Sequence, residues 1–406
     1  MDLQQEQIAR TLGEGHRVIH GTAGSGKTMI LVFRAAFLAA AARPDQPILV
    51  LCFNRTLAQR IDALLRARGV DERVLVRTFH AWCQDLVRSY QLDVPVGLGG
   101  DAHFEALAAA VDRAVETGRV PGGQYHALLV DEAHDFQDAW LRIAARMVSP
   151  VTRSLLVLYD DAQSIYQHQR RRGFNFASVG IEARGRTSIL RLNYRNTAEV
   201  LALATLCAQS LLQGAPGAAG DAAEAGGIGA AEAGADDAPT LVQPYSAGRR
   251  GPLPVLLQAR HAAEEAEAVA DRVMAALAAG LALDEVAILC RTKAMMRPFE
   301  RALAARGLPF QSMNQQTLRR FDARQPGLKL LTLHSAKGLE FALVFVAGLQ
   351  AMPMVHESLD DALRLLYVAM TRATRELVLS AHGRSAIVER IEQALADVAT
   401  RFAQAA

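Results

Sequence analysis

Residues Gly21 to Thr28 read "GTAGSGKT", a Gly-x4-Gly-Lys-Thr pattern. It follows a short apolar run, "HRVIH", and opens a helical stretch from about Met29. Strand, glycine loop and helix in that order form a phosphate cradle. The glycines let backbone N–H groups approach phosphate oxygens, and the helix N-terminus adds favourable dipole. In this reading Gly21, Thr22, Ala23, Gly24, Ser25 and Gly26 line the phosphates, Lys27 meets the β/γ oxygens, and the Thr28 hydroxyl can hold Mg²⁺. The loop says that a nucleotide is held, and leaves open what the nucleotide is used for.

Further along, short β-branched runs alternate with longer helical stretches. "ILVLC" precedes "RTLAQRIDALLRARG", and "HALLVDEAH" and "SLLVLYDD" follow; "LPVLLQA", "EVAILC", "LKLLTL", "ALVFVAG" and "ELVLSA" come later. This is the rhythm of buried parallel sheets with crossover helices. It is broken at residues 214–239, "GAPGAAGDAAEAGGIGAAEAGADDAP", which has almost nothing large to bury and is expected to be a mobile linker or insert, extending to about residue 250. The pattern predicts two α/β units, residues 1–191 and 192–406, over a chain of 406 residues with 51% hydrophobic and 21% charged content.

Several function classes are excluded or left open by composition. Cys52, Cys83, Cys207 and Cys290 form no CxxC pair and read as reduced thiols of a cytoplasmic protein, not a metal site or disulfide frame. The start, "MDLQQEQIAR", has no secretory pattern, and "MILVFRAAFLAAAA" is short and carries Arg34, so no membrane partner is expected. A net charge of +2 neither requires nor excludes nucleic acid, because binding depends on where charge sits.

"LLVDEAH" ends an apolar run in Asp131 and Glu132. Beside a phosphate loop, such a strand end places one carboxylate on Mg²⁺ (Asp131) and a second where it polarises the attacking water (Glu132).

In these and the following motifs the chain resembles the UvrD/Rep-type superfamily 1 helicases, in order and over nearly its whole length. "LQQEQ" is similar to the adenine-reading motif, with Gln7 on the base edge. "ILVLCFNRTLA" and "RTFHAW" are similar to motifs that touch single-stranded DNA. "DDAQSIYQ" resembles the coupling motif, "LNYRNT" the fourth, "LLTLHSAKGLEFALVFVAGL" the fifth and "RLLYVAMTRA" the sixth.

The resemblance implies two RecA-like P-loop domains with parallel sheets and an ATP site in the cleft between them. Tyr194 would stack on adenine, Arg195 and Arg372 would meet the γ-phosphate, Gln163 would link that phosphate to the DNA surface, and Gly338 with Glu340 would lie at the ribose. Two guanidiniums on a transferring phosphoryl group stabilise its charge and convert hydrolysis into movement.

Grip on a single strand needs backbone charge and stacking faces. The candidates are Phe53, Asn54, Arg55, Thr78, Phe79, His80, Tyr166, His168, the run opening at Arg170, and His334 with Ser335. Two departures stand out. After "QSIY" the chain reads Gln167, His168, Gln169 where the family has an aromatic and then arginine. The family's two large accessory insertions are reduced here to a helical piece at about 84–125 and the 214–239 segment.

The expected activity is therefore an ATP-driven translocase or helicase on single-stranded DNA or a partial duplex, with 3′→5′ polarity and weak unwinding alone, in repair, replication restart or defence. The competing readings are a nucleotide-gated DNA-binding module that recruits a partner such as a nuclease or repair factor, and an ATP-dependent enzyme on small molecules. No kinase acceptor motif and no nuclease carboxylate cluster accompanies the loop.

Overall fold

A computed structural model describes residues 3–404, apart from residues 23, 44, 71, 96, 161–174, 210–243 and 315–325. The segment read as a linker, 214–239, lies outside the described residues. The chain divides into two units, with the boundary at Leu190 and Arg191.

The first unit opens with α1 (Leu3–Thr11), β1 (His16–Gly21) and α2 (Lys27–Ala39). It continues through β2 (Ile48–Cys52), α3 (Arg55–Arg66), β3 (Val74–Thr78), α4 (Phe79–Tyr90) and α5 (Gly100–Glu116). Then come β4 (Ala127–Val130), α6 (Asp138–Arg146), β5 (Ser154–Tyr159) and β6 (Thr187–Leu190). Among the described residues the strands form one sheet, in the order β3-β2-β4-β5-β1-β6, and every pairing is parallel. Side chains alternate across a strand, so continuous apolar runs feed two cores at once. Leu49, Leu51, Leu128, Val130, Leu155 and Val157 face α4, α5 and α6. Their neighbours Ile48, Val50, Leu129, Leu156 and Leu158 face α1, α2 and α3.

The second unit begins with two short strands, β7 (Leu192–Asn193) and β8 (Tyr245–Ser246), which pair with each other on either side of α7 (Ala198–Cys207). The order continues β9 (Val255–Gln258), α8 (Ala262–Ala278), β10 (Val286–Cys290), α9 (Arg297–Ala305), β11 (Phe310–Ser312) and β12 (Leu328–Thr332). It ends with β13 (Phe341–Ala347), α10 (Leu359–Met370), β14 (Ala373–Ala381) and α11 (Ala386–Ala403). The main sheet runs β11-β12-β10-β13-β14-β9, again parallel throughout. Ile288, Leu330, Leu343 and Phe345 pack under α8 and α9, while α7, α10 and α11 cover the other face. Among the described residues, no helix is long and apolar enough to cross a membrane. The four cysteines are free and buried.

Candidate nucleotide site

Strand order places the chemistry. In the first sheet β5 lies between β4 and β1, so the loops leaving these three strands emerge side by side. The phosphate loop leaves β1, Asp131 and Glu132 leave β4, and Asp160 leaves β5. Carboxyl ends of parallel strands are where open α/β sheets bind ligands.

Gly24 and Gly26 sit at φ 80° and 83°, a left-handed conformation that side chains resist. A Cβ on Gly21 would fall 2.6 Å from Ser25 Oγ and 3.2 Å from Leu190 Cβ, and one on Gly26 would fall 2.1 Å from Gln5 Nε2, where the left-handed backbone already favours glycine. Lys27 begins α2 and folds back over the loop. Its Nζ donates to the Gly21 carbonyl at 2.6 Å and the Thr22 carbonyl at 3.0 Å, and lies 3.2 Å from Asp160 Oδ2. The Thr28 hydroxyl donates to Asp131 Oδ2 at 2.8 Å, and Asp131 Oδ1 accepts the Glu132 N–H at 2.9 Å. Thr28 and Asp131 thus offer two hard oxygen donors side by side, a donor set that fits Mg²⁺. Glu132 itself has φ 53° and ψ 44°. A non-glycine residue held there costs roughly 1–3 kcal/mol, and such strain concentrates at functional positions. The buried Cys52 thiol at the end of β2 feels the same place: burial pushes its pKa up, and the charges of Asp131 and Glu132 push it further.

Gln7 is exposed on α1, whereas Gln5 is buried against Gly26. Ala23 and Gln163 lie outside the described residues, as do Tyr166, His168 and Arg170.

In the second unit the candidate nucleotide residues gather at the opposite kind of edge. Phe341 pairs with Ala373, so Glu340 and Arg372 precede the first residues of adjacent strands. The Arg195 guanidinium donates through Nε to Glu340 Oε2 at 2.8 Å. Glu340, expected at the ribose, here orients the arginine. Arg372 is 1% exposed; Nε donates to the Val368 carbonyl at 3.0 Å and Nη1 to the Leu339 carbonyl at 3.3 Å. Buried Asn196 joins the two arginine-bearing segments. Its N–H groups donate to the carbonyls of Thr371 (3.1 Å) and Ala373 (2.6 Å), which flank Arg372. Its own N–H and that of Arg195 are both accepted by Asn193 Oδ1. Arg195 and Arg372 are therefore fixed on one hydrogen-bonded frame. Tyr194 is half-buried, with its carbonyl accepting from Arg249, and Gly338 has φ 78°.

The nucleic-acid candidates fall at carboxyl ends too. Phe53 follows β2 and is 42% exposed; Asn54 caps α3 by accepting the Leu57 N–H at 2.8 Å, and Arg55 is exposed. Thr78 caps α4 through the Ala81 N–H. Phe79 is different. It is 0% exposed, stacked on Trp140 at 4.6 Å and edge-on to Phe136, so it packs the core and presents no face on which a base could stack. His80 is half-buried against Trp140 and Phe104, and burial lowers its pKa. His334 and Ser335 are exposed after β12, on the sheet edge away from Arg372.

Two polar residues that the sequence reading passed over complete the first unit's site, Asp160 and His134, both buried. Asp160 carried the same signal as Asp131, an acid directly after an apolar strand.

Two parallel-sheet units, the first with a lysine-bearing phosphate loop whose threonine meets a strand-end aspartate, define a P-loop NTPase of RecA-like fold. Residues 189–323 and 313–384 match the model for the UvrD-like helicase C-terminal domain, and residues 4–169 match that for an AAA domain. DNA helicase IV of Escherichia coli (strain K12) is 40% identical over 86 residues, 21% of this chain and 12% of that protein. A probable DNA helicase of Mycoplasma pneumoniae is 35% identical over 109 residues, 25% of this chain and 18% of that protein. ATP-dependent DNA helicase UvrD2 of Mycobacterium tuberculosis (strain ATCC 25618 / H37Rv) is 42% identical over 76 residues, 15% of this chain and 11% of that protein. Over these matched stretches the chain is similar to the UvrD/Rep-type superfamily 1 helicases. It spans only 11% to 18% of the length of these curated relatives.

Proposed function

We propose that the chain is an ATP-hydrolysing motor on single-stranded DNA, moving 3′→5′ and separating duplexes poorly by itself. The observation that carries this reading is the convergence of Lys27, Thr28, Asp131, Glu132 and Asp160 at three neighbouring strand ends. In this reading the loop N–H groups and Lys27 hold the β- and γ-phosphates. Thr28 and Asp131 would hold Mg²⁺, which when bound neutralises phosphate charge. Glu132 orients the attacking water and takes its proton. Arg195, aimed by Glu340, and Arg372 stabilise charge on the transferring phosphoryl group, and Tyr194 stacks on the base. Gln7 stays a candidate for reading the adenine edge, with Gln163 as the link toward DNA. Phe53, Asn54, Arg55, Thr78, His80, His334 and Ser335 are the proposed strand contacts. Poor unwinding follows from the short helical piece, α5, that stands where relatives of this type carry a large insertion. A protein partner, a nuclease or repair factor, would supply what the bare motor lacks.

Polarity is tested by streptavidin displacement from biotinylated single strands. A 3′→5′ motor clears streptavidin from a 5′-biotin in an ATP-dependent manner and leaves a 3′-biotin occupied. Displacement from the 3′ end alone, or robust unwinding of a long duplex by the chain alone, contradicts the respective part of the proposal.

A further inference from the structure

His134 is buried at the turn between β4 and α6, three residues after the metal-site aspartate. Its Nδ1 accepts the backbone N–H of Asp160 at 3.3 Å. A neutral ring whose Nδ1 accepts must carry its hydrogen on Nε2. That nitrogen lies 3.2 Å from Glu132 Oε2 and 3.9 Å from Asp135 Oδ2, within contact distance but outside hydrogen-bond geometry in this structure. The Tyr159 ring meets the imidazole edge-on at 5.8 Å and fixes its plane. Asp160 in turn reaches Lys27 of the phosphate loop at 3.2 Å. An ion pair and a hydrogen bond thus run from Lys27 through Asp160 to His134, whose Nε2 lies against Glu132.

We infer that His134 is a positioning residue that holds the Glu132 carboxylate in register with the phosphate loop. The inference rests on the proposed ATP hydrolysis and adds to it the group that aims the base. Glu132 leaves its strand in a left-handed conformation, so its side chain needs an outside reference. The imidazole supplies one: His134 lies in the same turn as Glu132, and its Nδ1 ties that turn to the end of the neighbouring strand. Misplacing a catalytic group by about 1 Å can cost on the order of 10²-fold in rate.

The test compares wild type, Glu132→Gln, His134→Ala and His134→Gln in the full chain, with steady-state ATP kinetics and thermal melting. His134→Ala is expected to lower kcat by about 10–100-fold while leaving the KM for ATP little changed. His134→Gln, which keeps an N–H donor near Glu132, is expected to restore most of that loss. A filler of space alone would move Tm and not separate kcat from KM. Wild-type kcat in His134→Ala overturns the inference, as does a glutamine variant no faster than the alanine one. Hydrolysis by wild type that is unaffected by Glu132→Gln, or absent altogether, overturns the functional reading and takes this inference with it.

Discussion

Lys27→Ala abolishes ATP hydrolysis and also destabilises the first unit. The ammonium neutralises phosphate charge in the proposed mechanism, and losing one such preorganised donor costs at least about 10²–10³-fold in rate. The stability effect has a separate cause. Lys27 and Asp160 are a buried pair with side chains 8% and 0% exposed, and alanine removes the Lys27 ammonium from beside the Asp160 carboxylate. Removing one partner of a buried pair costs about 3–5 kcal/mol. For a unit of this size that is a fall in Tm of roughly 6–20 °C. Pairing Lys27→Ala with Asp160→Asn separates the two effects: much of the Tm returns and hydrolysis does not. Wild-type turnover in Lys27→Ala would mean that the loop does not serve the γ-phosphate.

Arg372→Ala leaves nucleotide affinity nearly intact and lowers kcat by about 10³-fold, the scale set by an arginine on a transferring phosphoryl group. Because Arg372 also serves the carbonyls of Val368 and Leu339, the alanine variant needs a partner that keeps the fold. Arg372→Lys retains a buried cation and a donor but not the planar fork, so it stays slow while melting close to wild type. A loss of affinity at unchanged kcat, seen by nucleotide titration beside turnover, would make Arg372 a binding contact only.

The parts of the site legible in the sequence were those that physics forces into a local pattern. A phosphate loop needs its glycines and lysine within eight residues, and a strand buried on both faces needs a continuous apolar run. "ILVLC" and "HALLV" could hardly be anything else. The edge strands β3, "VLVRT", and β6, "TSIL", carry polar residues because an edge is half-wet, and they give weaker signals. Phe79 shows a different limit. An aromatic after a strand can face a ligand or the core, and only the helix start at Thr78 turns its ring inward onto Trp140. Asn196 and His134 were illegible for a third reason. The contacts that tie them to other segments, Asn196 with Thr371 and His134 with Asp160, span 175 and 26 residues, so no spacing along the chain announces those. Gln5 and Gln7 differ by two positions on α1, which puts them on different sides of the helix, and the quoted motif alone does not say which one meets the loop.

The most direct trial of the motor account is the rate of ATP hydrolysis by the full chain with and without a single-stranded oligodeoxynucleotide. A fuel-burning translocase is nearly idle alone and accelerates by an order of magnitude or more when the strand is added, with Lys27→Ala silent in both conditions. A rate indifferent to the strand would contradict the account, because hydrolysis would then be coupled to something other than DNA.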